Sequence, residues 1–321
     1  MSQTRRAVID VGTNSVKLLV ADVAGREVHP VCEESKQTRL GQGFYETHRL
    51  QAEPIAKTAR AAANFVARAR ELQAASIRVI ATSAARDALN SQELVSAIEN
   101  ASGVKVEIIS GEQEAELVFR GVTTDPQLTG LPLLLLDVGG GSTEFILGQG
   151  SQMHFRQSFP IGTVRLLEKI PHSDPPRPEE LTECCDWLRT FLQTEVQPKL
   201  AGAINWESKV YSANGGVQLV GTGGTTSILA RMEHKLDDFN RDRIEATRLS
   251  LERVHWHLQR LWTLPLAERR QIIGLPPKRA DVILTGVAIY ESVMVQLGFV
   301  ELRVSTRGLR FAAVMEPAPG Q

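Results

Sequence analysis

The sequence predicts an α/β protein made of two related halves, and three features lead to that expectation. Predicted strands alternate with predicted helices along nearly the whole chain. Each half opens on a strand, a glycine turn and a second strand, so each sheet is expected to begin with an antiparallel hairpin. The turn itself recurs: Asp10, Val11, Gly12 and Ser15 match Asp137, Val138, Gly139 and Ser142 at one constant offset. At 321 residues the chain is also longer than one core usually organises. The expected division is a first domain over 1–128, a second over 129–314, and a loose tail rich in proline and glycine over 315–321.

The elements follow in order. Ala7 to Asp10 is an apolar run that ends in the turn Val11-Gly12-Thr13-Asn14-Ser15, and Val16 to Val23 returns as its partner strand. Glu27 to Glu34 adds a third strand, and Arg39-Leu40-Gly41-Gln42-Gly43 reads as a loop. Ile55, Ala59, Ala62, Val66 and Ala69 recur at steps of three and four and predict a helix over 53–72, with Pro54 harmless in its first turn. Strands are expected at Ile77–Ala81 and Val104–Ile109, with a helix over 91–100 between them. Ser110 and Gln113 form a capping-box pair that opens another helix. The second half begins at Leu131, with strands at Leu133–Asp137 and Thr143–Gly148. The four prolines of 171–178 mark a loop, and a helix follows over 178–193. Val217–Val220 is a strand that leads into Gly221-Thr222-Gly223-Gly224-Thr225-Thr226 and a further helix. The remainder alternates helices with one late strand at Val300–Ser305.

Composition excludes several classes. Hydrophobic residues make up 42% and charged residues 23%, the balance of an ordinary soluble globular protein. With a net charge of -1 there is no global basic field, so nucleic acid is not an expected partner and any polyanion must meet a local site. Cys32, Cys184 and Cys185 contain no C-x-x-C pair, which argues against a disulfide framework or zinc site and fits a reducing cytoplasm. The apolar stretch Ala7–Val23 is interrupted by Asp10, Asn14, Lys17 and Asp22, so neither a signal peptide nor a membrane span is expected. His255 and His257 stand two apart and point away from each other on a helix, which is not a metal-ligand spacing.

Three glycine-rich turns carry hydroxyls: Gly12-Thr13-Asn14-Ser15, Gly139-Gly140-Gly141-Ser142-Thr143, and Gly221 to Thr226, in which Gly223, Gly224 and Thr225 are the candidates. Phosphate needs close approach by backbone N–H groups, and glycine permits it because it lacks Cβ. A single such turn often only closes a hairpin. Three of them, two repeated behind an aspartate, point to a phosphate-bearing ligand. Asp10 and Asp137 each end a strand before the turn, where they can cap it or hold a metal. Magnesium takes one or two carboxylates plus phosphate oxygens, and Asp137 with Glu144 can supply that pair. The residues alone leave both readings open.

Eight segments together are recognisable. Asp10-Val-Gly-Thr-Asn-Ser15, Ala81-Thr-Ser-Ala-Ala-Arg86-Asp-Ala-Leu-Asn90, Ile109-Ser-Gly-Glu-Gln-Glu-Ala115 and Asp137-Val-Gly-Gly-Gly-Ser-Thr-Glu144 resemble the Ppx/GppA phosphatase family. So do Pro160-Ile-Gly-Thr-Val-Arg165, Gly221-Thr-Gly-Gly-Thr225, Arg279-Ala-Asp-Val-Ile283 and Ser305-Thr-Arg-Gly-Leu-Arg310, in the family's order and over nearly the whole chain.

The resemblance implies two related actin-like ATPase (ribonuclease H-like) domains facing an interdomain cleft. It also implies Mg2+- or Mn2+-dependent hydrolysis of the terminal phosphate of inorganic polyphosphate. The alternative substrate is the guanosine nucleotide pppGpp, and the alternative classes are an ATP-dependent kinase or a non-catalytic polyanion sensor on the same fold. Among Glu112, Glu114 and Glu116, all near one helix start, only the family pattern selects Glu114 as the base for the attacking water. It likewise selects Arg86 for charge on the transferred phosphoryl group, and Asp137 and Glu144 for the metal and phosphate side; Asp10 stands beside them as a further metal candidate from its place before the first turn. Arg39, Arg165, Lys278, Arg279, Arg307 and Arg310 are further candidate cations. A homodimer is the family's expected state. The resemblance ends near Val314, without the helical extension of long members, which favours short polyphosphate or a nucleotide over processive action on long chains.

Overall fold

The computed structural model describes residues 3–203 and 216–318. The chain forms two compact units. The first comprises Met1–Gln127, Gly139–Gly141 and Arg307–Gln321, and the second comprises Leu128–Val138 and Ser142–Thr306.

In the first unit, β1 (Thr4–Val11), β2 (Ser15–Ala24), β3 (Glu27–Gln37), β4 (Ser76–Ala81) and β5 (Val106–Ile108) form one sheet in the order β3-β2-β1-β4-β5. The expected hairpin is present, with β1 and β2 antiparallel and β4 and β5 added in parallel. Strand alternation sorts the side chains. Ala7, Ile9 and Val11 join Val16, Leu18 and Val20 in one core, which leaves Val8 and Asp10 on the opposite face. Helix α1 (Ala52–Glu71) buries Ile55, Ala59, Ala62, Val66 and Ala69, the predicted stripe, in that same core. Full burial of a side chain such as Val66 contributes about 1.5–3 kcal/mol. Two short elements complete this part, α2 (Ser83–Asp87) and α3 (Ser91–Ser102).

Helix α4 (Gly111–Val122) starts as the sequence predicts. Ser110 Oγ accepts from Gln113 N at 3.1 Å, and Gln113 Oε1 accepts from Ser110 N at 2.8 Å. Against α4 packs the C-terminal helix Leu309–Ala313, so close that a Cβ on Gly121 would lie 2.2 Å from the Gly308 carbonyl oxygen. The segment after Thr306 therefore belongs with the first unit, not with the second where the sequence-based boundary placed it. Its apolar residues Phe311, Ala312 and Val314 are buried there. The expected tail also begins with anchored residues. Arg6 donates to the Met315 carbonyl at 2.5 Å, and Glu316 pairs with Arg120 at 2.6 Å and Arg78 at 3.4 Å. The tail residues 319–321 lie outside the described residues.

In the second unit, β6 (Pro132–Val138), β7 (Thr143–Gln149), β8 (Gln152–Phe159), β9 (Gln218–Thr222), β10 (Arg248–Ser250) and β11 (Glu301–Val304) form a sheet in the order β10-β11-β9-β6-β7-β8. Read from the outer hairpin strand, β8-β7-β6-β9-β11 repeats the order and strand senses of β3-β2-β1-β4-β5. The repeated sequence turn is thus matched by a repeated sheet. β8 was not anticipated, although Phe155, Gln157 and Phe159 alternate along it, and Phe155 and Phe159 pack on the core. Leu134, Leu136 and Val138 join a large core, while Leu133, Leu135 and Asp137 face the other way.

Helix Ile283–Leu297, an apolar stretch that a partner subunit could have used, is instead buried along most of its length in this core. Helix Pro178–Phe191 passes into a π-helical turn over Leu192–Val196 before helix Gln197–Ala201. Pro198 explains the wider turn, because it lacks an N–H and its ring collides with the carbonyl four residues back.

Candidate functional site

Each unit carries its own set of candidate groups. In the first unit the turn after β1 is closed by Gly12 N donating to the Ser15 carbonyl at 3.1 Å. The predicted loop around Arg39 packs on it: Thr38 N and Arg39 N donate to the Asn14 carbonyl, and Gly41 N donates to the Thr13 carbonyl. The Thr13, Asn14 and Ser15 carbonyls are thereby occupied. Asn14 Nδ2 and Ser83 Oγ, by contrast, are buried donors with no protein partner. Gly139–Gly141 belong to this same unit. A Cβ on Gly141 would lie 2.5 Å from both Ser83 Oγ and Tyr45 Oη and 2.9 Å from Thr13 Oγ1, so only glycine leaves three hydroxyls converging on one point. Ser83 is 3% exposed, and a buried hydroxyl without a partner is costly unless a ligand or water completes it.

Arg86 and Glu114, distant in sequence, meet in this unit. Arg86 Nη1 donates to Glu114 Oε2 at 3.1 Å and to the Ile109 carbonyl at 3.2 Å, at the ends of α2 and β5. Glu114 sits in the first turn of α4 and is 9% exposed. Glu112 and Glu116 make no such pair with Arg86.

Asp10, the metal candidate of the first turn, has cations around it. It lies across the hairpin from Lys17, 4.0 Å from Nζ. Burial raises its pKa, and the positive charges of Lys17 and Arg310 oppose that rise. Arg310 has a structural post: it donates to the Leu18 carbonyl at 2.7 Å and faces Glu33. Asp10 is thus set among cations within the first unit. Arg307 likewise donates to the Thr124 carbonyl.

The second unit shows the opposite charge pattern at the equivalent place. Asp137 pairs with Glu144 across β6 and β7, Glu144 with Ser158 across β7 and β8, and Asp137 with Thr222 across β6 and β9. Four adjacent strands therefore present one polar row, Ser158, Glu144, Asp137 and Thr222. Glu144 is 1% exposed, and its Oε1 accepts from Ser142 Oγ at 2.8 Å and Ser158 Oγ at 2.7 Å.

The third glycine loop closes on the same row. Gly223 has φ of 90°, in the left-handed region that favours glycine, and a Cβ there would lie 2.4 Å from Asp137 Oδ1. A Cβ on Gly224 would lie 2.5 Å from Arg279 Nη2, so the loop's bareness also admits that guanidinium. Tyr290 Oη donates toward the Leu136 and Thr222 carbonyls beneath the row. Burial first, and the charge of Asp137 second, push this phenol well above its ordinary pKa.

These residues fit a divalent cation of the magnesium type. Two carboxylates stand opposite each other, a glycine cradle adjoins one of them, and Thr222 Oγ1 in the same row is buried without a partner. Among the described residues no group of three or more His, Cys, Asp and Glu could hold a metal ion. Phosphate oxygens and water would have to complete the shell.

Two hydroxyls counted as phosphate donors from the sequence are engaged within the second unit, and a third is packed in its interior. Ser142 Oγ donates to Glu144, and Thr143 Oγ1 donates to the Ile161 carbonyl at 2.6 Å. Thr225 is buried against Gly286, where a Cβ would meet its Oγ1 at 2.7 Å. Hydroxyl count is visible in a sequence, but the direction of each hydroxyl is not. Tyr45, Ser83 and Ser158 are not singled out by the sequence motifs. Ser83 lies inside a segment singled out for Arg86, and Ser158 would have been found by recognising the alternation of β8.

The repeated hairpin-and-crossover sheets, with glycine turns at corresponding strand ends, are the α/β fold of the actin-like ATPases. The sequence matches the Ppx/GppA phosphatase family over residues 19–318, and the chain belongs to that family. It is 33% identical over 307 residues to a protein named exopolyphosphatase 2 from Mycobacterium tuberculosis, with 92% of each chain covered. Among solved structures it resembles an exopolyphosphatase from Cytophaga hutchinsonii (28% identity, TM-score 0.84, 96% of each chain). It also resembles the Ppx/GppA family member of Aquifex aeolicus (28% identity, TM-score 0.77, 98% of this chain and 97% of the other). Among the described residues no helix is long and apolar enough to cross a membrane.

Proposed function

We propose that this chain is a metal-dependent exopolyphosphatase that releases the terminal phosphate of inorganic polyphosphate. The observation that carries the reading is the pairing of Arg86 with Glu114 at 3.1 Å, in a chain of this phosphatase family. It sets a carboxylate able to take a proton beside a cation able to balance phosphoryl charge. Asp137 and Glu144 would hold Mg2+ or Mn2+, which when bound neutralises charge on phosphate oxygens.

The protein groups then have distinct tasks. Glu114 orients water and accepts its proton as the water oxygen bonds to the terminal phosphorus. The bond from that phosphorus to the bridging oxygen breaks, giving orthophosphate and a chain one unit shorter. Phosphoryl transfer of this kind is governed by positioning and charge stabilisation, the roles given to Arg86 and the glycine turns. Ser83 Oγ and Asn14 Nδ2 are suited to phosphate oxygens because both are buried donors without a protein partner.

The test is phosphate release by purified protein with Mg2+ from short polyphosphate, long polyphosphate, pppGpp and ATP in separate reactions. Release from polyphosphate with progressive shortening supports the proposal. Release from pppGpp alone overturns the substrate assignment but keeps the chemistry. Release from none of the four overturns the hydrolase reading in favour of a polyanion sensor.

A further inference from the structure

Glu144 is held by two hydroxyls that arrive from different elements. Ser142 Oγ comes from two residues earlier in the same chain segment, and Ser158 Oγ comes from the neighbouring strand β8. Both donate to Oε1. The register that places Ser158 directly opposite Glu144 also places Glu144 directly opposite Asp137.

The first unit shows what the same positions look like without this arrangement. There Lys17 stands opposite Asp10, and Ser35 stands opposite Lys17. Ser35 is exposed and has a cation, not a carboxylate, as its cross-strand neighbour. The serine that holds a carboxylate therefore belongs to the second unit, where the cross-strand pair is doubly acidic.

A glutamate side chain has three torsions, and fixing them for a ligand costs entropy. Two donors on one oxygen fix the carboxylate before any ligand arrives. Ser142 is close in the chain and can follow Glu144 as it moves. Ser158 is on a separate strand, so it sets Glu144 relative to the sheet and hence relative to Asp137.

We propose that Ser158 is a positioning residue for the metal pair, holding Glu144 in the orientation in which it and Asp137 share a divalent cation. This rests on the reading of Asp137 and Glu144 as the metal side. Partners of metal-ligating carboxylates typically contribute about 10–100-fold to metal affinity.

The test uses the full-length protein without substrate. Mn2+ is titrated into metal-free wild type, Ser158→Ala, Ser158→Thr and Glu144→Gln, and free Mn2+ is read by electron paramagnetic resonance. Thermal midpoints are taken in EDTA. Wild type should bind Mn2+, Glu144→Gln should lose binding, and Ser158→Ala should bind about tenfold more weakly, with its midpoint lowered by no more than the few degrees that one lost hydrogen bond costs. Ser158→Thr, which keeps the hydroxyl, should recover most of the affinity. If Glu144→Gln loses Mn2+ while Ser158→Ala binds as wild type does, the role of Ser158 is refuted and the metal pair stands. If wild type fails to bind, or Glu144→Gln binds equally well, the metal pair is refuted and this inference falls with it. Equal weakening in the alanine and threonine variants, with midpoints lowered by more than those few degrees, assigns Ser158 to packing and overturns the proposal.

Discussion

Neutralising Glu114 as glutamine separates catalysis from stability. Arg86 Nη1 lies 3.1 Å from Glu114 Oε2, a distance at which unit charges attract by about 5 kcal/mol at an effective dielectric of 20. Desolvation and residual water contact offset most of that, since the two side chains keep 22% and 11% exposure. Glutamine still offers an oxygen to Arg86. The net stability loss should therefore be about 1–2 kcal/mol, a few degrees in Tm for a chain of this size. Loss of a general base, by contrast, lowers kcat by about 10²–10⁴-fold, or about 3–5 kcal/mol in the barrier. Glu114→Gln should then keep its fold, lose kcat, and leave KM for short polyphosphate within a few-fold of wild type. Phosphate release and thermal unfolding measured on the same preparation decide the matter. A kcat within tenfold of wild type would refute the base assignment. A collapse of Tm alongside the activity would show that the pair is structural.

Other consequences follow from single contacts. Gly141→Ala should lower kcat/KM about 10–100-fold with little change in Tm, because its Cβ displaces the Ser83, Tyr45 and Thr13 hydroxyls and not backbone; steady-state kinetics reads this, and wild-type kinetics would discard the cradle. Tyr290→Phe should cost about 1–3 kcal/mol in urea unfolding, since the single phenolic proton that lies between the buried Leu136 and Thr222 carbonyls is lost. Burial holds the pKa of His257 below the ordinary imidazole value even though Glu233 lies 2.9 Å away. The unfolded chain thus takes the proton first, so this contribution is complete above about pH 6.5 and is lost as pH falls below it. His257→Gln should flatten the decline of stability between pH 6.5 and 5, and an unaltered slope would assign the decline to other groups.

Local chemistry was legible wherever neighbours in the chain decide the structure. The two Asp-Val-Gly hairpins, the α1 stripe and the Ser110/Gln113 capping box all rest on contacts within a few residues, and each appears where the residues place it. The ordered motifs were enough to indicate the family, and with it Arg86 and Glu114. β8 escaped notice because its alternation is diluted by Gln157, and β10 because three residues carry too little pattern.

What the sequence by itself determined is the set of groups: the repeated turn, the paired acids and the glycines that allow close approach. Only the tertiary structure decided which of them lie side by side. The offset that aligns Asp10 with Asp137 also aligns Lys17 with Glu144, but register and packing turn the first pair into an aspartate among cations and the second into two acids side by side. Ser142 and Thr143 look alike in the turn, yet strand alternation sends one hydroxyl to Glu144 and the other to the Ile161 carbonyl. The C-terminal helix packs in the first unit, where the bare Cα of Gly121 admits the Gly308 carbonyl, an approach that no local pattern reveals. Direction and partnership depend on long-range register and burial, and these exist only once the chain has folded.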